Sequence, residues 1–378
     1  MIPLSVPHLF EEEKKYVNSC LDSGWISSAG EYVNLFENKF KSYIKTDESC
    51  AVMNGTSGLH LCLKALGLGP GDCVLTNNLT FVATLNAITY TGAEPILVDV
   101  NQETWQIDET LLEHWLEEKT FINDQGFTTI KNTNRQIKAI VPVYVLGNAY
   151  NIDSVVKMAE KYNLLIVEDS TEALGTFIKN EHAGTFGNAG VFSFNGNKII
   201  STGGGGMIVS KCSNLINKIR HLSTTAKVDP IKYYHDEIGY NYRLVNVLAA
   251  LGVGQLENIN KILEKKEVIF KQYHKFLNLD HVQFQKSLPE VNWNHWLVTI
   301  KTNRSKELQE FLEKENIQTR PFWTPMNQLP MFKDKIYITN NDVSAKLFAA
   351  CTSIPCSFDL TVEQQEKVIE SINRFFSS

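Results

Sequence analysis

Between residues 50 and 169, short apolar runs alternate with helical patterns, and this alternation constrains the fold more than any other feature. The runs that are typical of buried strands are 50–54, 72–76, 94–99, 137–144 and 164–168. Strands that alternate with helices in this way form a mainly parallel sheet covered on both faces. Ligands bind such sheets at the carboxyl ends of the strands. The sequence therefore predicts an α/β fold with a site at that edge.

The pattern changes near residue 246, and this change predicts a second domain. A long helical pattern runs from 248 to about 274, followed by a strand at 296–300 and helices at 306–315 and 362–376. We expect a large domain over 1–247, which includes helices at 11–21 and 31–43, and a smaller C-terminal α+β domain over 248–378. The polar stretch 121–136 is expected to be a surface excursion.

Composition and charge exclude several classes of protein. The formal net charge is -6, and no block of Lys and Arg suggests nucleic-acid binding. No apolar run reaches the ~18 residues of a membrane helix. The first residues lack the basic and hydrophobic segments of a signal peptide, so we expect a cytoplasmic protein. Seven scattered cysteines, with no Cys-x-x-Cys pair, indicate buried thiols rather than a metal site.

A lysine and an aspartate each follow an apolar strand. Asp169 ends the run 164–168, and Lys198 follows Phe-Ser-Phe at 192–194 and precedes four glycines at 203–206. Pyridoxal phosphate (PLP) needs this pair, because the lysine amine condenses with the aldehyde and the acid keeps the ring nitrogen protonated. The alternatives are a solvated surface lysine and an aspartate that caps a helix.

Gly55, Thr56 and Ser57 lie between the strand 50–54 and an apolar helical pattern that begins at Leu59. The free amide groups and partial positive charge of a helix N-terminus favour an anion, and glycine allows close approach. This segment therefore predicts a phosphate site, although Ser and Thr are also ordinary helix caps.

The motifs resemble the sugar-nucleotide aminotransferases of the DegT/DnrJ/EryC1/StrS family, from about residue 7 to residue 376. The matching motifs are Glu-Asp-Ser-Thr-Glu-Ala-Leu-Gly at 168–175, Gly-Thr-Phe-Gly at 184–187, Phe-Ser-Phe at 192–194, Lys198, Gly-Tyr-Asn-Tyr-Arg at 239–243, and Ile-Gln-Thr-Arg-Pro at 317–321. The resemblance implies the PLP-dependent aminotransferase fold type I. Its large domain carries a mainly parallel, seven-stranded mixed sheet, and its small domain is α+β.

The resemblance also assigns the cofactor site. Lys198 binds the PLP aldehyde, Asp169 holds the ring nitrogen, and Phe81 stacks on the ring, whereas from residue type alone Phe81 would be a core residue. Gly55, Thr56, Ser57 and Ser193 bind the cofactor phosphate. In a homodimer, Asn241 reaches the phosphate that is bound to the other subunit. Glu172 also belongs to the cofactor site. The family commonly has Gln or His at the Glu172 position, beside the phenolic oxygen. A carboxylate there has to be protonated, displaced or paired.

Substrate binding is implied for the loop that contains Trp25, Ile26 and Ser27, and for Arg243 and Arg320. From the residues alone, the loop could equally be a packed connection and Arg243 a partner in a surface salt bridge. Gly204 stands where the family often has Glu. This is similar to the subgroup of UDP-4-amino-4,6-dideoxy-N-acetylglucosamine transaminases.

The expected reaction moves an amino group from glutamate to the C4 keto group of UDP-2-acetamido-2,6-dideoxy-4-hexulose. Such aminosugars feed bacterial glycans of the bacillosamine, legionaminic acid or lipopolysaccharide type. Two alternatives use the same cofactor: a non-catalytic PLP-binding regulator, and a sugar dehydratase, which has His in place of the lysine and is disfavoured by Lys198. A nicotinamide dehydrogenase is disfavoured because the glycines at 203–206 precede a strand rather than a helix.

Overall fold

The computed structural model describes residues 1–229 and 231–377. Its helices are α1 Glu11–Ser23, α2 Glu31–Ile44, α3 Gly55–Ala65, α4 Ala83–Tyr90, α5 Glu109–Lys119, α6 Ile152–Lys161, α7 Ser213–Ser223, α8 Asn246–Glu257, α9 Ile259–Phe276, α10 Ser305–Lys314, α11 Val343–Ala350 and α12 Val362–Ser377. Short 3-10 helices lie at Val145–Gly147 and Met326–Gln328.

The strands are β1 Glu48–Val52, β2 Asp72–Asn77, β3 Glu94–Val98, β4 Thr120–Ile122, β5 Thr128–Ile130, β6 Gln136–Val141, β7 Leu165–Asp169, β8 Phe177–Ile178, β9 Glu181–His182, β10 Ala189–Ser193, β11 Gly206–Ser210, β12 Lys227–Asp229, β13 Tyr234–His235, β14 Gln283–Phe284, β15 Val291–Asn292, β16 Val298–Lys301, β17 Arg320–Pro321, β18 Tyr337–Ile338 and β19 Cys351–Ile354. Among the described residues, none of the helices has both the length and the apolar character that crossing a bilayer requires.

The central sheet has the strand order β1-β11-β10-β7-β6-β2-β3-β18, and the β4–β5 hairpin joins it beside β6. Strands β10, β7, β6, β2, β3 and β18 pair in parallel, whereas β11 is antiparallel to both of its neighbours. The α/β fold with a mostly parallel central sheet is therefore confirmed. Three short strands, β18 and the hairpin, add to the seven that the resemblance implied.

Alternating residues of the central strands face two different hydrophobic cores. Cys73 and Leu75 pack in the core that contains α5 and α6, whereas Val74 packs with α3, α4 and α7. Every residue of β2 is buried. Because both faces are covered, these strands appear in the sequence as continuous apolar runs.

The polar stretch 121–136 differs from the expected surface excursion. Its strands β4 and β5 form an antiparallel hairpin, and Thr128 and Thr129 are buried. The Asn123 side chain accepts hydrogen bonds from the amides of Gln125 and Phe127 and closes the turn. Threonine is favourable in strands, and Asn stabilises such turns through its side chain.

The long helix expected from residue 248 is two helices, α8 and α9, that meet at Asn258. The Asn258 side chain donates to the carbonyl of Gly254 (3.1 Å) at this junction. Helix α8 packs against α1 and α2, and residues 283–354 contribute the antiparallel sheet β14-β16-β19-β17. The domain boundary at residue 247 stays a prediction.

Candidate active site

A cavity of about 200 Å³ lies beside the carboxyl ends of β7 and β10 and the N-terminus of α3. It brings together seven residues that were predicted from the sequence: Gly55, Thr56, Phe81, Asp169, Glu172, Ser193 and Lys198. The rest of its wall comprises Asn54, Leu59, Thr80, Ala83, Thr84, Val143, Thr171, Asn195, Asn197, Trp296 and Trp323. The parallel sheet thus gathers at one edge residues that are distant in the chain.

The Lys198 amine lies between a carboxylate and an aromatic ring. Its Nζ is 3.3 Å from Glu172 Oε1 and 3.9 Å from the centre of a Trp296 ring. The Lys198 side chain is 14% exposed, so it is not an ordinary solvated lysine. The backbone amide of Lys198 donates to the carbonyl of Asn195 (2.9 Å), which fixes the turn that presents it.

Glu172 is buried, and its carboxylate is paired. Oε2 accepts a hydrogen bond from the amide of Leu146 (2.8 Å), while Oε1 contacts Lys198. Burial raises the pKa of Glu172 to about 7, although the Lys198 ammonium opposes this shift. The sequence left three states open for this carboxylate: protonated, displaced or paired. In the structure it is paired with Lys198.

Asp169 ends β7 with its carboxylate buried inside the protein. Oδ2 accepts from the Thr84 hydroxyl (2.7 Å), and Oδ1 accepts from the Thr171 amide (3.2 Å). Among the described residues, no cationic side chain forms an ion pair with Asp169. A buried carboxylate with neutral donors alone fits a protonated ring nitrogen, because a buried charge is stabilised by an opposite one.

The N-terminus of α3 forms the opposite end of the cavity. The Asn54 side chain caps the helix by accepting from the Ser57 amide (2.8 Å), while the amides of Gly55 and Thr56 have no acceptor within the helix. A Cβ atom added at Gly55 would lie 2.9 Å from Thr171 Cγ2 and 3.1 Å from Ser193 Cβ. The close approach and the free amides fit a phosphate, so the cavity suits both ends of PLP.

Phe81 lies at the open side of the cavity. Its side chain is 55% exposed even though it lines the wall. The alternative of a buried core phenylalanine is therefore wrong, and stacking on the cofactor ring, which the resemblance implies, stays a prediction.

Several predicted residues lie outside this cavity. Ser57 is buried in α3 beside the cavity wall. Trp25, Ile26 and Ser27 have exposed side chains. Asn246 fixes their loop, because its side-chain amide donates to the carbonyl of Trp25 (2.7 Å) and its backbone amide donates to the carbonyl of Ser27 (2.8 Å).

Three polar residues that were predicted at the site lie away from the cavity wall. Arg243 forms a buried ion pair with Glu37 and donates to the carbonyl of Ala51 (3.1 Å). Asn241 is exposed and pairs through its backbone with Thr224, and Arg320 is exposed on β17. The structure therefore gives Arg243 contacts that hold the fold together, rather than the surface salt bridge weighed from the sequence.

Thr84, Trp323 and Trp296 are among the eleven wall residues that were not predicted as site residues from the sequence. Thr84 lies in the first turn of α4, three residues after Phe81, but Phe81 precedes the helix, so a helical spacing did not link the two residues. Trp323 lies two residues after the 317–321 motif, in a run of aromatics and prolines. Trp296 resembles any apolar strand residue, so nothing in the sequence pattern marked it.

A surface group of His221, Asp236 and Glu237 was also not anticipated. Their ligand atoms lie within 4.8 Å of one another. His221 Nε2 contacts Asp236 (2.7 Å), and Glu237 pairs with Lys218. The group is an exposed cluster of ion pairs whose carboxylates already have partners.

Comparison with known proteins identifies the family. The model of the DegT/DnrJ/EryC1/StrS aminotransferase family matches residues 7–373. The chain is 38% identical over 379 residues to the GDP-perosamine synthase of Escherichia coli O157:H7, covering 100% of this chain and 99% of that protein. It is 36% identical over 382 residues to the putative pyridoxal phosphate-dependent aminotransferase EpsN of Bacillus subtilis (strain 168), covering 99% and 96% of the two chains.

The fold also matches a solved structure of the same family. The crystal structure of a DegT DnrJ EryC1 StrS aminotransferase from Brucella abortus superposes with a TM-score of 0.90 at 25% identity, covering 97% of this chain and 96% of that one. The family match over nearly the whole chain agrees with the lysine, the aspartate and the helix N-terminus that meet in one cavity. The chain belongs to the DegT/DnrJ/EryC1/StrS aminotransferase family and is a PLP-dependent sugar aminotransferase.

Proposed function

We propose that the chain transfers an amino group from glutamate to the C4 keto group of a GDP-linked 4-keto-6-deoxyhexose. We choose GDP as the nucleotide because the chain is 38% identical over its whole length to a GDP-perosamine synthase. The UDP-linked N-acetyl sugar expected from the sequence is the second candidate, and it is favoured by Gly204 in the glycine run.

Asp169 and Lys198 are proposed to act on opposite sides of the cofactor ring. PLP, when bound, supplies an electron sink next to the carbon whose amino group is exchanged. The Asp169 carboxylate, held by Thr84 and Thr171, keeps the ring nitrogen protonated. Lys198 Nζ would carry a proton between the substrate carbon and the cofactor, away from the donor in the first half of the reaction and towards the sugar in the second.

Glu172 is proposed to be the acid that keeps Lys198 in place near the phenolic oxygen of the cofactor. Its contact with Lys198 is 3.3 Å, and its second oxygen is fixed by the Leu146 amide. Because burial raises the pKa of Glu172 to about 7, this carboxyl group can share a proton with its neighbours at neutral pH.

The phosphate is proposed to bind the amides of Gly55 and Thr56, with hydroxyl groups from Ser57 and Ser193. Asn241 of the partner subunit would complete this site in a homodimer. Arg320 and the loop 25–27 are proposed to contact the sugar nucleotide or the carboxylate of the donor, because Arg suits anionic groups and the loop exposes a tryptophan.

The test is a direct comparison of substrates. Purified protein with PLP and glutamate is incubated with GDP-linked and UDP-linked 4-keto-6-deoxy sugars, and products are identified by mass spectrometry and NMR. We expect a 4-amino sugar from the GDP-linked substrate, and none with Lys198→Ala. Turnover of the UDP-linked sugar alone would move the assignment to the second candidate, and turnover of neither would refute the proposed function.

A further inference from the structure

The segment from Trp293 to Trp296 reaches the catalytic lysine from the C-terminal part of the chain. Trp296 lies with its ring 3.9 Å from Lys198 Nζ, and its Nε1 donates to the carbonyl of Asn197 (2.7 Å), the residue before that lysine. The indole therefore contacts both the amine and the turn that presents it. Trp296 is 4% exposed, so its position is fixed by packing on all sides.

Asn294 fixes the position of this indole relative to Glu172. Its Nδ2 donates to the carbonyls of Glu172 (2.7 Å) and Leu174 (2.9 Å), and its Oδ1 accepts from the amide of Trp296 (2.9 Å). All of these groups are buried, so each bond is made in a low dielectric. One side chain thus sets the spacing between the carboxylate and the ring that flank Lys198.

A carboxylate and an indole face on two sides form a binding place for a cation. The carboxylate supplies a charge-assisted contact, and tryptophan is the aromatic side chain that attracts cations most strongly. During the reaction the Lys198 amine is repeatedly released from the cofactor, and it has to return to the same place each time.

We propose that Trp296 is a positioning residue, whose indole face, together with Glu172, holds the free Lys198 amine while that amine is protonated, before it gives up its proton and acts as the base. This inference rests on the proposed role of Lys198. It adds a contribution from the C-terminal part of the chain that neither the motifs nor the relatives' names include.

The test measures the reactivity of the amine itself. Full-length protein is loaded with pyridoxamine phosphate, so that Lys198 carries no covalent link, and is treated at pH 8 with limiting acetic anhydride, which acylates unprotonated amines. Peptide mass spectrometry then gives the labelling rate of Lys198 relative to exposed lysines of the same molecule. The variants are Trp296→Leu, Trp296→Phe and Trp296→Tyr, and Trp115→Leu on α5 is the matched control, because Trp115 packs in a different core.

All three Trp296 variants lose the hydrogen bond to Asn197, but only Phe and Tyr keep an aromatic face. We expect labelling of Lys198 to rise about fivefold in Trp296→Leu and about twofold in Trp296→Phe and Trp296→Tyr. Fivefold corresponds to about 1 kcal/mol, which is within the range of a cation–π contact. Trp115→Leu should leave the rate unchanged.

A purely structural role predicts a different order. Equal rates in Leu, Phe and Tyr variants, or no change in any of them, would overturn the proposal. Thermal unfolding of each variant shows whether it has lost structure. If Trp296→Leu is unstable, the test is decided by comparing the Lys198 labelling rates of the Phe and Tyr variants with that of the wild type. Because no sugar is present, the result is independent of the assigned substrate.

Discussion

The buried Glu172 carboxyl group gives the site a pH dependence that can be measured without substrate. Burial raises its pKa from 4.5 to about 7 in the folded protein. Between these values the folded state binds more protons than the unfolded state, so the free energy of unfolding falls as pH rises from about 4.5 to 7. The loss is on the order of 3 kcal/mol for one such group.

Denaturant unfolding of the PLP-free protein at several pH values tests this contribution. The difference in free energy of unfolding between wild type and Glu172→Gln isolates the contribution of Glu172. Buried histidines also titrate, such as His182, whose pKa is lowered by burial to about 4, but they are present in both proteins and cancel. We expect the stability of the wild type relative to the variant to decrease steadily up to about pH 7. A difference that does not vary with pH would show that Glu172 does not titrate in this range.

Arg243 was expected to bind substrate, but its contacts are with Glu37 and the backbone of β1. Removing Arg243 deprives the buried Glu37 carboxylate of one of its two cationic partners, because Arg220 also contacts it (2.9 Å). We therefore expect Arg243→Ala to lower the free energy of unfolding by about 2–3 kcal/mol, measured by denaturant titration. The control Lys14→Ala removes an exposed pair with Glu11 and should cost under about 1 kcal/mol. A variant of Arg243 with normal stability and a raised KM for the sugar would restore the substrate role.

Several of the site residues that were predicted from the sequence lie at or shortly after the end of a strand. Asp169 ends β7, and Lys198 follows β10 by five residues, so both lie at the edge where the parallel sheet gathers its ligand-binding groups. Trp296 and Asn294 could not be found in this way, because their role depends on how the C-terminal segment packs beside Lys198. That arrangement is set by tertiary contacts and leaves no local pattern.

At the scale of elements, the N-terminus of α3 is where backbone geometry matters most. A methyl group at position 55 would crowd Thr171 and Ser193. We expect Gly55→Ala to weaken PLP binding by about tenfold or more, measured by titration of the cofactor absorbance, because about 1.4 kcal/mol of crowding suffices for that.

The matched control for this helix end is Gly69→Ala, where an added Cβ atom would meet no heavy atom within 4 Å. It should bind PLP as the wild type does. If Gly55→Ala bound PLP as tightly as the wild type, the assignment of the phosphate to this helix end would be wrong.

Elements with strong periodicity were predicted well, and the errors occurred where polar side chains define the structure. The sequence predicts a surface excursion at the β4–β5 hairpin because three of the four buried residues in its strands are threonines, and Ile130 is the only aliphatic one. The division between α8 and α9 was missed because the apolar pattern continues through Asn258. In both places the deciding interactions involve Asn side chains: Asn123 accepts a hydrogen bond from the amide of Phe127, and Asn258 donates one to the carbonyl of Gly254.

At the scale of the whole molecule, we propose a homodimer with shared active sites. Asn241 is exposed, and the nearby Ile231 and Ile238 are 86% and 85% exposed. Exposed apolar residues of this kind mark interaction surfaces when they cluster. Light scattering should therefore give about twice the chain mass of 42.8 kDa.

Mixing two inactive variants tests whether the sites are shared. In a hybrid of Lys198→Ala with Asn241→Ala, one site would retain both an intact lysine and an intact Asn241 of the partner subunit. After refolding an equal mixture, activity should return to about a quarter of the wild-type value, since half of the dimers are hybrids with one intact site. No recovery would mean that Asn241 does not act across the interface.

The central claim is that Lys198 carries the covalent link to PLP, and one measurement tests it directly. The protein with PLP is reduced with borohydride, digested and mapped by mass spectrometry, with Lys198→Ala as the control. We predict that the pyridoxyl group is found on Lys198 and is absent from the variant. A pyridoxyl group on another lysine, or the same modification in Lys198→Ala, would contradict the account.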